Sequence, residues 1–225
     1  MTKASTLQGQ FKSVLFDLDG TLADTSDDFV FVLNKQRQLH NLPALPAGSI
    51  RSTVSDGARA LTKLAFGGSP GEKLFEARRE ELLALYLQEV GNNSSLFSGM
   101  DDVLQHLEKL GLSWGVVTNK PKKYADILMS KLDLDTRCSV LVCPDDVAQA
   151  KPHPEGLLLA AKTVGASATQ CLYAGDHIRD IEAGHAADMV TVAASYGYIH
   201  PNEDVKAWNA HHIIDHPLEI ISLVN

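Results

Sequence analysis

Residues 11–22 read Phe-Lys-Ser-Val-Leu-Phe-Asp-Leu-Asp-Gly-Thr-Leu, an apolar run that ends abruptly in acids, a glycine and a threonine. Phe11 to Phe16 is rich in strand formers, and Asp17, Asp19 and Gly20 are turn formers, so the segment predicts a strand followed by a loop. The spacing of Asp17 and Asp19 lets both carboxylates point the same way. Two anions placed so close repel, which implies a cation or a shared proton. An EF-hand calcium loop would put its glycine and its closing glutamate elsewhere, and it would not follow a strand.

On the C-terminal side, Phe29, Val32, Leu33 and Leu39 recur at helical spacing, predicting a helix from Thr25 to about His40 capped by Thr25 or Ser26. Further helices are expected over Ala58 to Phe66 and over Pro70 to Val90. The latter carries Leu74, Phe75, Leu82, Leu83, Leu85 and Tyr86 on one broad face. No strand is expected between Asp24 and Leu96. After the loop-like Gly91 to Ser95 the pattern changes: WGVVT, VLVC, CLYAG and VTVAA read as strands. Helical runs at Val103 to Leu110, Tyr124 to Leu132 and Pro154 to Val164 connect them. Strands separated by helices predict an α/β fold, with a Rossmann-like parallel sheet covered on both faces. The helical stretch 24–97 is expected to be a cap inserted into a core formed by 1–23 and 98–225.

Open parallel sheets bind ligands at the ends of their strands, and three further motifs fall there. Thr118-Asn119-Lys120-Pro121 follows WGVVT and offers a hydroxyl, an amide and loop N–H groups to a phosphate. Lys151 sits in Lys-Pro-His-Pro, where the prolines stiffen its loop. Gly175-Asp176-His177-Ile178-Arg179-Asp180 follows CLYAG and sets two more carboxylates at a strand's end. Each motif alone is ordinary turn or helix-start chemistry. Together they supply acids for Mg2+ and a lysine with N–H groups for phosphoryl oxygens.

Bulk properties agree with such a site. The 225 residues are 44% hydrophobic and 21% charged, as in a compact globular protein. The net charge of −8 and the scattered Lys and Arg residues argue against a nucleic-acid partner. An acidic surface also requires a phosphate site to build its own positive field. No stretch approaches the ~18 apolar residues of a membrane span, and the opening MTKASTLQGQ has no apolar signal core. Three cysteines without CxxC spacing, Cys138, Cys143 and Cys171, fit a reduced, cytoplasmic protein.

DLDGTLADT, TNKP after WGVVT, KPHP and GDHIRD together resemble the haloacid dehalogenase superfamily, in its phosphatase branch with a helical cap. SDGARAL, WGVVTNKP, LVCPDD and YGYIHP are similar to the phosphoglycolate and N-acetylmuramic acid 6-phosphate phosphatase groups. The resemblance implies that Asp17 attacks phosphorus to form an aspartyl-phosphate while Asp19 protonates the leaving alcohol and then activates water. It implies Mg2+ held by Asp17, the Asp19 carbonyl, Asp176 and Asp180, with Thr118, Asn119 and Lys151 around the phosphoryl oxygens. Ser55 and Arg59, in the cap motif Ser-Asp-Gly-Ala-Arg, would read the substrate. Arg59 would pair with a carboxylate.

His177 is expected to face solvent, Trp114 to be core, and Trp208, His211 and His212 to carry no chemistry. The expected partner is a small phosphorylated metabolite, acted on by a monomer or homodimer. A sugar phosphomutase uses the same residues, and a non-catalytic phosphate- or partner-binding protein could keep the fold. The intact acid pair argues against the latter.

Overall fold

The computed structural model describes residues 11–225; the polar opening decapeptide, expected to carry no export signal, lies outside them. Six parallel strands form one sheet: β1 (Ser13–Phe16), β4 (Ser113–Val117), β5 (Val140–Val142), β6 (Cys171–Gly175), β7 (Val190–Ala194) and β8 (His212–Ile214). Their order is β5-β4-β1-β6-β7-β8. The sequence pattern locates five of these. β8, an edge strand, reads His-Ile-Ile with only Ile214 buried, and the histidine before it and the aspartate after it leave no apolar run like VLVC to read.

Side-chain alternation along β1 assigns the two faces. Val14 and Phe16 pack with Val103 and Leu107 of α5 (Met100–Lys109), Leu128 of α6 (Lys122–Lys131) and Ile220 of α9 (Glu219–Val224). Leu15 faces the other way, toward Leu157 and Ala160 of α7 (Glu155–Thr163) and Ala183 of α8 (Ile178–Ala186). Both faces are therefore covered, which is why the strands read as unbroken apolar runs.

Between β1 and α5 the chain makes two short strands and four helices. The strands, β2 (Ala23–Asp24) and β3 (Ser95–Leu96), pair antiparallel at the two ends of the helical segment. The helices are α1 (Ser26–Leu39), α2 (Ala47–Arg51), α3 (Ala58–Phe66) and α4 (Lys73–Glu89). They gather around their own apolar cluster, which includes Val32, Leu33, Ile50, Leu61, Leu82 and Tyr86. Helix α4 starts later than the pattern suggests because Gly71, at φ 91°, turns the chain before it. Its buried face is narrower than expected: Phe75, Leu82 and Tyr86 are buried, while Leu74 is 68% exposed.

Thr25 precedes α1 but does not cap it through its side chain; its hydroxyl turns instead to Asp19. Buried Asp28, in the first turn of α1, accepts hydrogen bonds from Gly91 N–H (2.7 Å), Asn93 N–H (2.7 Å) and Ser94 Oγ (2.6 Å). It thereby organises the loop by which the chain leaves the helical segment.

Trp114 is buried in the core, and Trp208 packs in a small cluster with Ile181 and Ala193. Cys138, Cys143 and Cys171 are free thiols. No helix among the described residues is long and apolar enough to cross a membrane.

Candidate active site

The C-terminal ends of β1, β4 and β6, three adjacent strands at the middle of the sheet, deliver Asp17, Thr118 and Asp176 to one spot. Asp17, Asp176 and Asp180 are all buried, and each contributes a carboxylate oxygen lying within 4.8 Å of the others. The Lys151 ammonium enters from below, 2.9 Å from Asp17 Oδ1 and 2.7 Å from Asp180 Oδ1. It also donates to the Val117 carbonyl at 2.9 Å and to the Tyr173 hydroxyl at 2.8 Å.

Burial raises the Asp17 carboxyl above the usual carboxylate range, opposed by the charge of Lys151. Burial also pushes Asp176 up to about 8, with the charges of Asp17 and Asp180 adding to the effect. Three acids against one buried ammonium leave the pocket short of positive charge. Hard carboxylate oxygens converging in a buried space are the donor set that suits a small divalent cation, so the residues present fit one.

Close approach here depends on backbone without side chains. Gly20, at φ 82°, lies under Asp176, and a Cβ there would sit 2.1 Å from Asp176 Oδ2. Asp176 Oδ1 accepts from Thr21 Oγ1 at 3.2 Å, and Oδ2 accepts from Tyr198 N–H and Ser55 Oγ, each at 2.9 Å. Asp180 Oδ2 accepts the His177 N–H at 3.0 Å, so the same residue starts α8 and completes the acid cluster.

Asp17 Oδ1 takes the Leu18 N–H at 2.7 Å as well as the Lys151 ammonium. Its Oδ2 therefore has no hydrogen-bond partner among the described residues. Asp19 is not one of the three clustered acids: Lys120 Nζ lies 2.7 Å from its Oδ1 and 3.0 Å from its Oδ2, and Thr25 Oγ1 donates to Oδ1.

Thr118 Oγ1 accepts the Lys120 N–H at 3.1 Å. Asn119 uses its side chain to fix the Lys151 loop, donating to the Lys151 carbonyl (2.9 Å) and accepting the Lys151 N–H (3.1 Å). Above these groups opens a cleft of about 330 Å³. Its walls include Asp17, Asp19, Thr118 and Asn119 from the sheet side and Phe29, Ser55, Arg59 and Tyr86 from the helical side. Arg59 is exposed at this cleft and makes no hydrogen bond among the described residues. Arg79 and Arg179 also reach it.

All the residues singled out from the motifs line this cleft or support its floor. His177 differs from expectation: its Nδ1 accepts the Arg179 N–H at 3.1 Å and its Nε2 lies 3.3 Å from Asp56, so it does not simply face solvent. Three contributors were not singled out. Lys120 lies inside the quoted Thr-Asn-Lys-Pro motif, but sequence spacing does not reveal that its ammonium turns to Asp19. Tyr173 looks like an ordinary strand residue, and Tyr198 becomes visible only where its loop returns to Asp176.

The arrangement of buried acids, lysine and cleft on an α/β sheet matches a known class. The family model described as haloacid dehalogenase-like hydrolase matches residues 14–194, and the chain belongs to that family. Among its relatives, the N-acetylmuramic acid 6-phosphate phosphatase of Pseudomonas putida is 43% identical over 96% of this chain and 97% of that protein. The phosphoglycolate phosphatase of Xanthomonas campestris is 39% identical over 93% of this chain and 94% of its own length. A crystal structure of a predicted phosphoglycolate phosphatase from Haemophilus somnus superposes with a TM-score of 0.84 at 27% identity, covering 95% of this chain and 98% of that one.

Proposed function

We propose that the protein is a Mg2+-dependent phosphatase that hydrolyses a small phosphorylated metabolite through an aspartyl-phosphate on Asp17. The observation that carries this reading is the buried group Asp17, Asp176, Asp180 and Lys151 at the floor of an open cleft. In this reading residues 24–97 are the cap and residues 1–23 and 98–225 the core, and the chain works in the cytoplasm.

Asp17 Oδ2, free of hydrogen bonds, attacks phosphorus while Leu18 N–H and Lys151 hold Oδ1. That leaves a P–O bond to the enzyme and expels the substrate alcohol, which takes a proton from Asp19. Asp19 must exchange Lys120 for the leaving oxygen to do so. It then takes a proton from the water that attacks the phosphoenzyme, regenerating Asp17 and releasing phosphate. Thr118 and the loop N–H groups around Asn119 bind phosphoryl oxygens, and the Lys151 ammonium holds the Asp17 carboxylate and offsets negative charge on the transferring phosphoryl group. Asp17, the Asp19 carbonyl, Asp176 and Asp180 would hold Mg2+, which when bound neutralises the phosphoryl charge.

The cleft also carries information about the substrate. Phe29, Val54, Leu83, Tyr86 and Tyr124 give it an apolar wall, and Arg59 stands beside it unpaired among the described residues. A carboxylate-bearing sugar phosphate such as N-acetylmuramic acid 6-phosphate offers groups to both, whereas 2-phosphoglycolate leaves the apolar wall unused.

The test is phosphate release in Mg2+ from the two compounds, with Asp17→Asn as control. Greater kcat/KM for the sugar phosphate is expected. Preference for 2-phosphoglycolate would reverse the substrate assignment, and transfer of phosphate to a second sugar hydroxyl would favour a mutase.

A further inference from the structure

Between α2 and α3 the cap chain forms a tight turn, Val54–Asp56, closed by Gly57 at φ 83°. Val54 stays buried in the helical cluster, while Ser55 and Asp56 meet the core at four points. Ser55 Oγ donates to Asp176 Oδ2 at 2.9 Å, and the Ser55 carbonyl accepts from the Arg179 guanidinium. Asp56 Oδ1 lies 3.3 Å from His177 Nε2, and Asp56 Oδ2 lies 2.7 Å from His200 Nε2. One cap carboxylate therefore bridges two imidazoles that come from different loops of the core.

The local bonding defines what each imidazole does. His177 Nδ1 accepts the Arg179 N–H, so the ring's proton is on Nε2, which donates to Asp56. His177 directly follows Asp176. His200 lies two residues after Tyr198, whose N–H binds Asp176 Oδ2. Both anchors are thus joined to the loops that frame Asp176, and neither needs to be charged to donate.

We propose that Asp56, held by His177 and His200, is the latch that seats the 54–57 turn on the core and so delivers Ser55 to Asp176. It is a positioning residue. With the latch engaged, Asp176 keeps its Ser55 hydrogen bond and the cleft is walled beside Arg59. Without it, the turn is held to the core only through Ser55, and the Ser55 hydrogen bond, one of the three donors that fix the Asp176 carboxylate, weakens. The kinetic part of this inference rests on the phosphatase reading, and the structural part does not.

The experiment compares the full-length protein with Asp56→Asn, Asp56→Ala, His200→Ala and the Asp56→Ala/His200→Ala double variant. Backbone hydrogen exchange is read over residues 52–58 and over β1, β4 and β6. Exchange over 52–58 is expected to rise about tenfold in Asp56→Ala and less in Asp56→Asn, which keeps one acceptor oxygen, with the strands unchanged. The double variant should exchange no faster than Asp56→Ala, since removing Asp56 already removes the contact that His200→Ala would break. In Mg2+, kcat/KM for N-acetylmuramic acid 6-phosphate should fall about tenfold in the same order.

Unchanged exchange over 52–58 in Asp56→Ala overturns the latch. So does a rise that spreads into the strands, which would make Asp56 a support of the whole fold. If the wild-type protein hydrolyses no phosphomonoester, the phosphatase reading fails and the exchange data still decide the latch.

Discussion

The Lys120 ammonium lies 2.7 Å from Asp19 Oδ1, in a pocket where the rings of Tyr86 and Phe29 flank it at 4.8 and 5.3 Å. Lysine and acid come from loops after different strands, so this pair ties the second acid of the first motif to the second motif. It holds Asp19 at the wall of the cleft. Replacing Lys120 by methionine keeps the apolar packing and removes the charge. In the proposed mechanism Asp19 is the general acid, so the expected result is a kcat roughly 10- to 100-fold lower as it loses the partner that orients it. Steady-state kinetics alongside near-ultraviolet circular dichroism tests this; unchanged kcat in a folded variant would remove Lys120 from the reaction.

Asp17→Asn keeps the shape of the side chain but replaces the attacking carboxylate with an amide. Turnover should fall on the order of a thousandfold or more while the thermal transition is retained. Mass spectrometry after brief mixing with substrate should detect a phosphoryl adduct on the wild type only. Undiminished hydrolysis by the variant would sink the nucleophile assignment.

The buried acids make stability depend on pH, and the proposed cation site adds a dependence on Mg2+. Asp176, pushed up to about 8 by burial and its acidic neighbours, binds its proton more tightly folded than unfolded. Its contribution to metal-free stability is therefore fully present below the ordinary carboxylate pKa of about 4 and is lost as pH rises through about 8. Mg2+ bound as proposed would take the place of that proton, so the gain in Tm from Mg2+ over EDTA should grow between pH 6 and pH 8. A gain that is flat or falls with pH contradicts the three-acid cation site.

Asp28 tests the exit from the helical segment. Its carboxylate is fully buried and accepts two backbone N–H groups and a hydroxyl from the 91–94 loop. Asp28→Ala leaves those donors without partners, at a cost of about 3 kcal/mol. Urea unfolding should show that loss. A change within experimental error would mean the loop finds other partners.

The alternation of apolar strands with helices was enough to predict the covered parallel sheet, because burial on both faces demands unbroken apolar runs. Asp17, Asp19, Thr118, Lys151, Asp176 and Asp180 were legible for a related reason: each follows a strand in sequence, and strands laid side by side bring their ends together. Contacts made across the fold left no such trace. That Asn119 braces the Lys151 loop, that Lys120 turns to Asp19, and that Asp56 meets His177 and His200 all depend on how loops far apart in the chain return to one another. Side-chain direction in a loop is set by its neighbours in space, and periodicity carries no record of them.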